Sequence, residues 1–190
     1  MNLSTSLADL RSGMAKTSEQ LIDVILVMDC QAGRTKALEA LVSRWQKRLW
    51  CHANRLVGDP EAAWDITQQT WLAIMKGLRK LRDPAGFKTW AYRITTNKAI
   101  DWINKSRREK HLPLEDIQDR QIQAAQDTRV TELLEELDIK KRVALSLYYF
   151  EGLTIPEISR TLNIPPGTVK SRLRNAKQQL RDLWHKYFDE

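Results

Sequence analysis

Two stretches of the chain carry side chains suited to gripping a nucleic acid. The first is Phe87–Asp101, where Phe87, Trp90 and Tyr92 are interleaved with Lys88, Arg93 and Lys98. Cations beside aromatic rings suit a single strand: charge tracks the backbone, and each base stacked on a ring contributes roughly 1–3 kcal/mol. Arg93, Asn97 and Asp101 recur at four-residue steps, so on a helix they share one face. The second stretch is Gly167–Arg181. If Val169 and Leu173 are buried on a helix, Gly167, Thr168, Lys170, Ser171, Arg174 and Asn175 point outward, with Arg172 at the flank and Lys177 and Arg181 beyond. Arg and Lys pair with guanine edges, Asn with adenine, and Ser and Thr with phosphates or bases. Positive charge here would also release counterions from a DNA backbone, and the one acidic residue of the stretch and its edge is Asp182. The plain alternative is a helical hairpin with a solvated basic face.

Other chemistries lack their residues. His52, His111 and His185 are scattered, and no paired carboxylates, metal-ligand spacing or glycine-rich phosphate loop is visible. The expectation is a non-enzyme with no cofactor and no metal. Cys30 and Cys51 are too far apart for a C-x-x-C pair and read as reduced thiols. The apolar run Leu21–Met28 is short and holds Asp23, so it is neither a signal peptide nor a span of about 20 apolar residues. A cytoplasmic protein without membrane insertion is expected.

The elements that must position these residues are helices. Leu38, Leu41, Val42, Trp45, Leu49 and Leu56 recur at three, four and seven. Gly58 ends that helix, and Asp59-Pro60 opens the next with a capping residue followed by proline at the first helical position. Trp64, Thr67, Trp71, Ile74, Met75, Leu78 and Leu81 are its expected inner stripe. Asp83-Pro84 repeats the start signal before Phe87, Trp90, Ala91 and Ile94. Residues 109–128 turn polar and mildly acidic and read as a flexible linker. Lys140–Glu151 is an expected helix ending at Gly152, and Thr154-Ile155-Pro156-Glu157 is a capping box. Asn163 then supplies a left-handed turn before the helix that begins near Gly167. Two short helices around a tight turn form a helix-turn-helix, whose second helix enters the major groove. The fold class is therefore all-α. Two helical domains are joined by a linker: an extension over 1–17, a first domain over 18–110, the linker over 111–128 and a helix-turn-helix domain over 129–190.

Thirty-one Lys and Arg against 24 Asp and Glu give a net charge of +7, which asks for an anionic partner without naming it. The charge is gathered at Lys105–Lys110 and Lys170–Arg181, with the acidic connector between. Seven Gly and six Pro are too few for collagen-like or low-complexity chains and fall mostly at helix boundaries.

The stretch YFEGLTIPEISRTLNIPPGTVKSRLRNAKQQL (149–180) resembles the promoter-reading domain 4 of bacterial extracytoplasmic-function (ECF) sigma factors. DPEAAWDITQQTWLAI (59–74) and FKTWAYRITTNKAIDWINKSRREK (87–110) resemble their domain 2, and QAGRTKALEALVSRWQKRLW (31–50) its first helix. The resemblance implies a protein that binds core RNA polymerase, at the clamp helices of the largest subunit and at the flap, and delivers it to promoter DNA. It implies a polymerase-docking set of Asp65, Gln68, Gln69, Trp71 and Leu72. Arg82 and Asp83, in the base-capturing loop 79–86, join Phe87, Lys88, Trp90, Arg93, Asn97, Lys98 and Asp101 in reading the melted minus-ten strand. Gly167, Thr168, Lys170, Ser171, Arg172, Arg174, Asn175 and Lys177 would read the minus-thirty-five duplex. By the same resemblance, Asp116 and Asp119 of the linker would mimic RNA in a cationic channel, and an anti-sigma factor would hold the protein in reserve. The chain departs from the family pattern at Gln69, where an acidic residue is frequent, at Ala91, at Asn163 in place of Gly, and at Asn175 and Lys177 in place of arginines. A one-component helix-turn-helix regulator is the competing reading. The aromatic-basic helix at 87–110 argues against it, because a duplex reader has no use for a base-stacking platform.

Overall fold

The computed structural model describes residues 18–109 and 133–188. The extension over 1–17 and the linker over 111–128 lie outside the described residues, as does Lys110. All regular structure among the described residues is helical. Helix α1 covers 18–31, α2 Thr35–Val57, α3 Pro60–Gly77 and α4 Phe87–Glu109. After a helical turn at 133–135 come α5 (Ile139–Leu145), α6 (Ile155–Leu162) and α7 (Pro166–Phe188).

The first domain is a bundle in which α2, α3 and α4 each pack on the other two. Its core is Leu41, Trp45, Leu49 and Leu56 from α2, Ile66, Trp71 and Ile74 from α3, and Phe87, Ala91 and Ala99 from α4. Trp45 is the hub. It meets Phe87 edge-on at 5.3 Å and Tyr92 at 5.7 Å, and such aromatic pairs add about 0.5–1.5 kcal/mol each beyond the area they bury. Helix α1 is clipped on by polar contacts: buried Asp23 accepts from Trp45 Nε1 at 3.0 Å and Arg44 Nε at 2.8 Å. At its other end Gln31 Nε2 donates to the carbonyls of Leu78 and Leu81.

The start and stop signals act as their chemistry requires. Gly58 takes φ 68°, and its N–H closes α2 on the Asn54 carbonyl. Asp59 accepts from the N–H groups of Glu61 and Ala62, with Pro60 at the first helical position. Asp83 caps a short 3₁₀ turn, Pro84–Gly86, that leads into α4.

The chain departs from its own pattern in three places. The periodicity that starts near Ser18 is two helices, because the backbone turns at 32–34, with Gly33 at φ 86°. Lys140–Glu151 is not one uniform α-helix: Ser146–Phe150 widens into a π-helical turn. That extra residue per turn swings Tyr148, Tyr149 and Phe150 outward, while Leu147 stays buried. On α3, Trp64 (45% exposed) and Met75 (46%) leave the expected inner stripe and face solvent. Buried Ala63 and Thr70 join the expected Thr67 on the inside, the two threonines returning their hydroxyls to the carbonyls four residues back. Small side chains let α3 lie close, and the larger ones are displaced to the outside.

Candidate nucleic-acid interface

The helix-turn-helix is built from local chemistry. Thr154 Oγ1 receives the Glu157 N–H, and the Glu157 carboxylate receives the Thr154 N–H at 2.7 Å, so the capping box is closed from both sides. Helix α6 ends at Asn163, which is left-handed at φ 52° and gives its N–H to the Ser159 carbonyl. Ser159 Oγ donates to the Ile164 carbonyl at 2.6 Å, and the Pro165 carbonyl accepts the Thr168 and Val169 N–H groups. Helix α7 opens at Pro166, one residue earlier than expected.

Val169, Leu173 and Ala176 are buried beneath α7, with Leu180 half-buried behind them. Gly167, Lys170, Arg174, Asn175 and Lys177 are therefore exposed on its outer side, and Thr168, Ser171 and Arg172 lie half-exposed at the border. Ser171 Oγ is turned back onto the Thr168 carbonyl at 3.0 Å. The result is a shallow convex face of cations and short polar groups, with backbone close to the surface at the helix N-terminus. It is the shape and chemistry that a major groove accepts.

The face of α4 is more divided. Arg93, Asn97 and Asp101 are exposed along one line, as their spacing requires, and Lys98 and Lys88 are half-exposed beside it. Arg82 and Asp83 are exposed in the loop before it. Two expectations need correcting. Phe87 is fully buried against Trp45 and Trp90, so its ring offers no stacking surface in this conformation. Tyr92 is 2% exposed, and its hydroxyl donates to Glu151 instead. Of the three rings on this helix start, only Trp90 reaches the surface, half-buried. It is seated over Gly77, where an added Cβ would come within 2.8 Å of the indole.

On α3, Asp65, Gln68, Gln69 and Leu72 are exposed along the outer face, Leu72 at 53%. Trp71 is not on that face: it is 8% exposed, in the core, and its Nε1 has no hydrogen-bond partner. Sequence reasoning missed Trp64, which extends the same outer face and lies 5.9 Å from Trp50. Its one legible signal is the i, i+4, i+8 spacing of Trp64, Gln68 and Leu72. No group of His, Cys, Asp and Glu among the described residues is arranged to hold a metal ion. No helix among them is long and apolar enough to cross a membrane. Cys30 and Cys51 are both free, and burial pushes the Cys30 thiol up, with Asp29 adding to it.

Comparison with known proteins decides the family. The Sigma-70 region 2 model matches residues 41–109, and the Sigma-70 region 4 model matches residues 127–180. The ECF RNA polymerase sigma factor SigE of Mycolicibacterium smegmatis is 32% identical over 165 residues, covering 80% of this chain and 63% of that protein. The ECF RNA polymerase sigma-E factor of Escherichia coli is 29% identical over 181 residues, covering 86% and 94%. The chain belongs to the ECF sigma factor family.

This sigma factor thus spans a little under two thirds of the first relative and nearly all of the second. Among solved structures, CnrH in complex with the cytosolic domain of CnrY matches with a TM-score of 0.69 and 25% identity, over 87% of this chain and 99% of that one. The sigma factor RpoE of Bartonella quintana, in complex with the anti-sigma factor NepR, shares the fold, with a TM-score of 0.67 at 21% identity over 78% and 97%. The family is not a class of enzymes. Regions 2 and 4 fall on the two helical domains seen here.

Proposed function

We propose that this sigma factor binds core RNA polymerase and directs it to promoters, using three separate surfaces. The outer face of α3, with Asp65, Gln68, Gln69 and Leu72, docks on the largest-subunit clamp helices. Arg82, Asp83, Lys88, Trp90, Arg93, Asn97, Lys98 and Asp101 read the melted minus-ten strand. Gly167, Thr168, Lys170, Ser171, Arg172, Arg174, Asn175 and Lys177 read the minus-thirty-five duplex. The division of labour follows the domains: 18–110 for docking and strand reading, 111–128 as tether, 129–190 for the duplex and the flap. It acts in the cytoplasm, without catalysis of its own. An anti-sigma factor is the expected partner in reserve.

The observation that carries this reading is the exposure of Lys170, Arg174 and Asn175 over a buried Val169–Leu173 seat. The test is transcription with purified core polymerase on a library of genomic fragments. Start sites that depend on the added protein and share two spaced elements support the reading. A one-component regulator would bind duplex but give core alone no new start sites, and that result would overturn it.

A further inference from the structure

We infer that Asn175 selects an adenine in the minus-thirty-five duplex and so sets part of this sigma factor's promoter preference. The inference rests on the duplex-reading face given above and assigns a base to one residue of it.

Helix α7 packs on α5 and α6 through Val169, Leu173 and Ala176, and this seat fixes where its other side chains stand. At about 100° per residue, Gly167, Ser171 and Gln178 lie opposite the seat. Arg174 and Asn175 stand about 50° to either side of that line. Lys170 and Lys177 lie together at one edge of the face, and Arg172 lies at the other. The cations therefore flank the face, and Arg174 and Asn175 fall between them. A helix laid in the major groove meets a sugar-phosphate wall on each side and base edges at the floor. Lys170 and Lys177 then face one wall and Arg172 the other, while Arg174 and Asn175 are aimed at the bases.

The polar side chains at the centre of the face are already engaged. Ser171 Oγ donates to the Thr168 carbonyl at 3.0 Å, and Gln178 Nε2 donates to Asp182 Oδ1 at 2.9 Å. Asn175 is exposed and has no hydrogen-bond partner among the described residues. Its amide offers a donor and an acceptor side by side. Adenine presents the matching pair in the major groove, N7 as acceptor and the N6 amino group as donor, so both bonds form at once. Guanine shows two acceptors there, cytosine a lone donor, and thymine an acceptor beside a methyl group. Each of these leaves half of the amide unpaired. A neutral amide also releases no counterion when it meets a phosphate, so the matched base edge is its stronger contact.

The test reads base preference. Holoenzyme assembled from the full chain and core polymerase transcribes a promoter library randomised across the minus-thirty-five element, and the transcripts are sequenced. In the wild type, one position of the element should be adenine, with any other base there lowering promoter use by about tenfold or more. Asn175→Ala should flatten that position alone and leave the rest of the element as it was. Asn175→Arg should move the preference at the same position to guanine, because arginine matches guanine O6 and N7. A switch of base is a result that lost stability cannot produce, and far-UV circular dichroism follows the folding of each variant. A uniform loss over all library members in Asn175→Ala would assign the residue to phosphate and overturn the inference. Unchanged preference in both variants would make it a solvated surface residue and overturn it as well. The same library, selected as duplex by the full chain without polymerase, reads the position independently of transcription. An adenine found there and erased by Asn175→Ala, with no start site that depends on the wild type, would sink the sigma-factor reading and keep this one. Selection that shows no such adenine would sink the assignment whatever transcription gives.

Discussion

Arg174 and Gly77 show how differently two residues serve one task. Arg174 is exposed on α7 and makes no contact that the fold requires, so its removal should leave stability alone. We expect Arg174→Ala to weaken binding to a minus-thirty-five duplex by about 1–3 kcal/mol, measured by fluorescence anisotropy, with an unchanged unfolding curve. A change in unfolding of similar size would show that the arginine is structural. Gly77 is the opposite case: it touches no DNA in the proposed reading, yet its missing Cβ is what lets the Trp90 ring lie on the end of α3. Gly77→Ala should destabilise the first domain by about 1–3 kcal/mol through overpacking, seen as a lower denaturant midpoint. It should also lose minus-ten strand binding, because Trp90 must move. Neither role of Gly77 is legible in the sequence, where it is one glycine at a helix end. The close approach of an indole from another helix is a tertiary fact.

The start and stop signals of the elements were legible because their causes are local. Asp59-Pro60, Asp83-Pro84, Thr154–Glu157 and Asn163 each satisfy orphan backbone groups within a few residues, and each took the role its chemistry required. What could not be read was which side of an element faces a neighbour it has not yet met. The expected stripe of α3 puts Thr67, Trp71, Ile74 and Leu78 inside as foreseen, but buried Ala63 and Thr70 seat the helix more closely and leave Trp64 and Met75 outside. Phe87 and Tyr92 went the other way, drawn from the expected DNA face into the core by Trp45 and Glu151. The capping box makes a prediction on this scale. Thr154→Ala removes the acceptor for the Glu157 N–H and leaves the first turn of α6 partly unsatisfied. The expected loss is about 1 kcal/mol of stability, with duplex binding reduced only as far as the domain unfolds. Titrating the variant at a temperature well below its Tm should restore wild-type affinity. A persistent defect would mean that the box also shapes the reading surface.

The domains of the whole molecule share one apolar core, and ionisable groups around Glu151 add a pH-dependent part to their union. Burial by itself would raise the Glu151 carboxyl, but His52, the Tyr92 hydroxyl and Arg55 together outweigh it, and the carboxyl is held below its ordinary value of 4.5. The Tyr92 hydroxyl is pushed far up by burial and by Glu151, so it stays protonated and remains a donor. A carboxyl whose value is depressed by the contact favours the contact above its ordinary value, and that favour is lost as the pH falls through the depressed one. The contribution of Glu151 to the union of the domains should thus be complete from neutral pH down to about 4.5 and be lost as the pH falls further. Around this carboxyl, α2 places the Arg55 guanidinium and the His52 ring and α4 the Tyr92 hydroxyl, with Arg48 acting on Tyr92. Glu19, Asp23, Lys88, Glu157 and Arg160 line the adjoining groove of about 670 Å³. Other carboxylates titrate in the same range, so expansion in acid alone would not single out Glu151. The decisive comparison is between scattering curves of the wild-type chain and Glu151→Gln, taken between pH 7 and 4 with helix content followed in parallel. The wild type should expand while still helical, and the variant, lacking the titrating group, should keep one size across the range. An equal acid expansion in both would assign the transition to general charge repulsion and remove Glu151 from it.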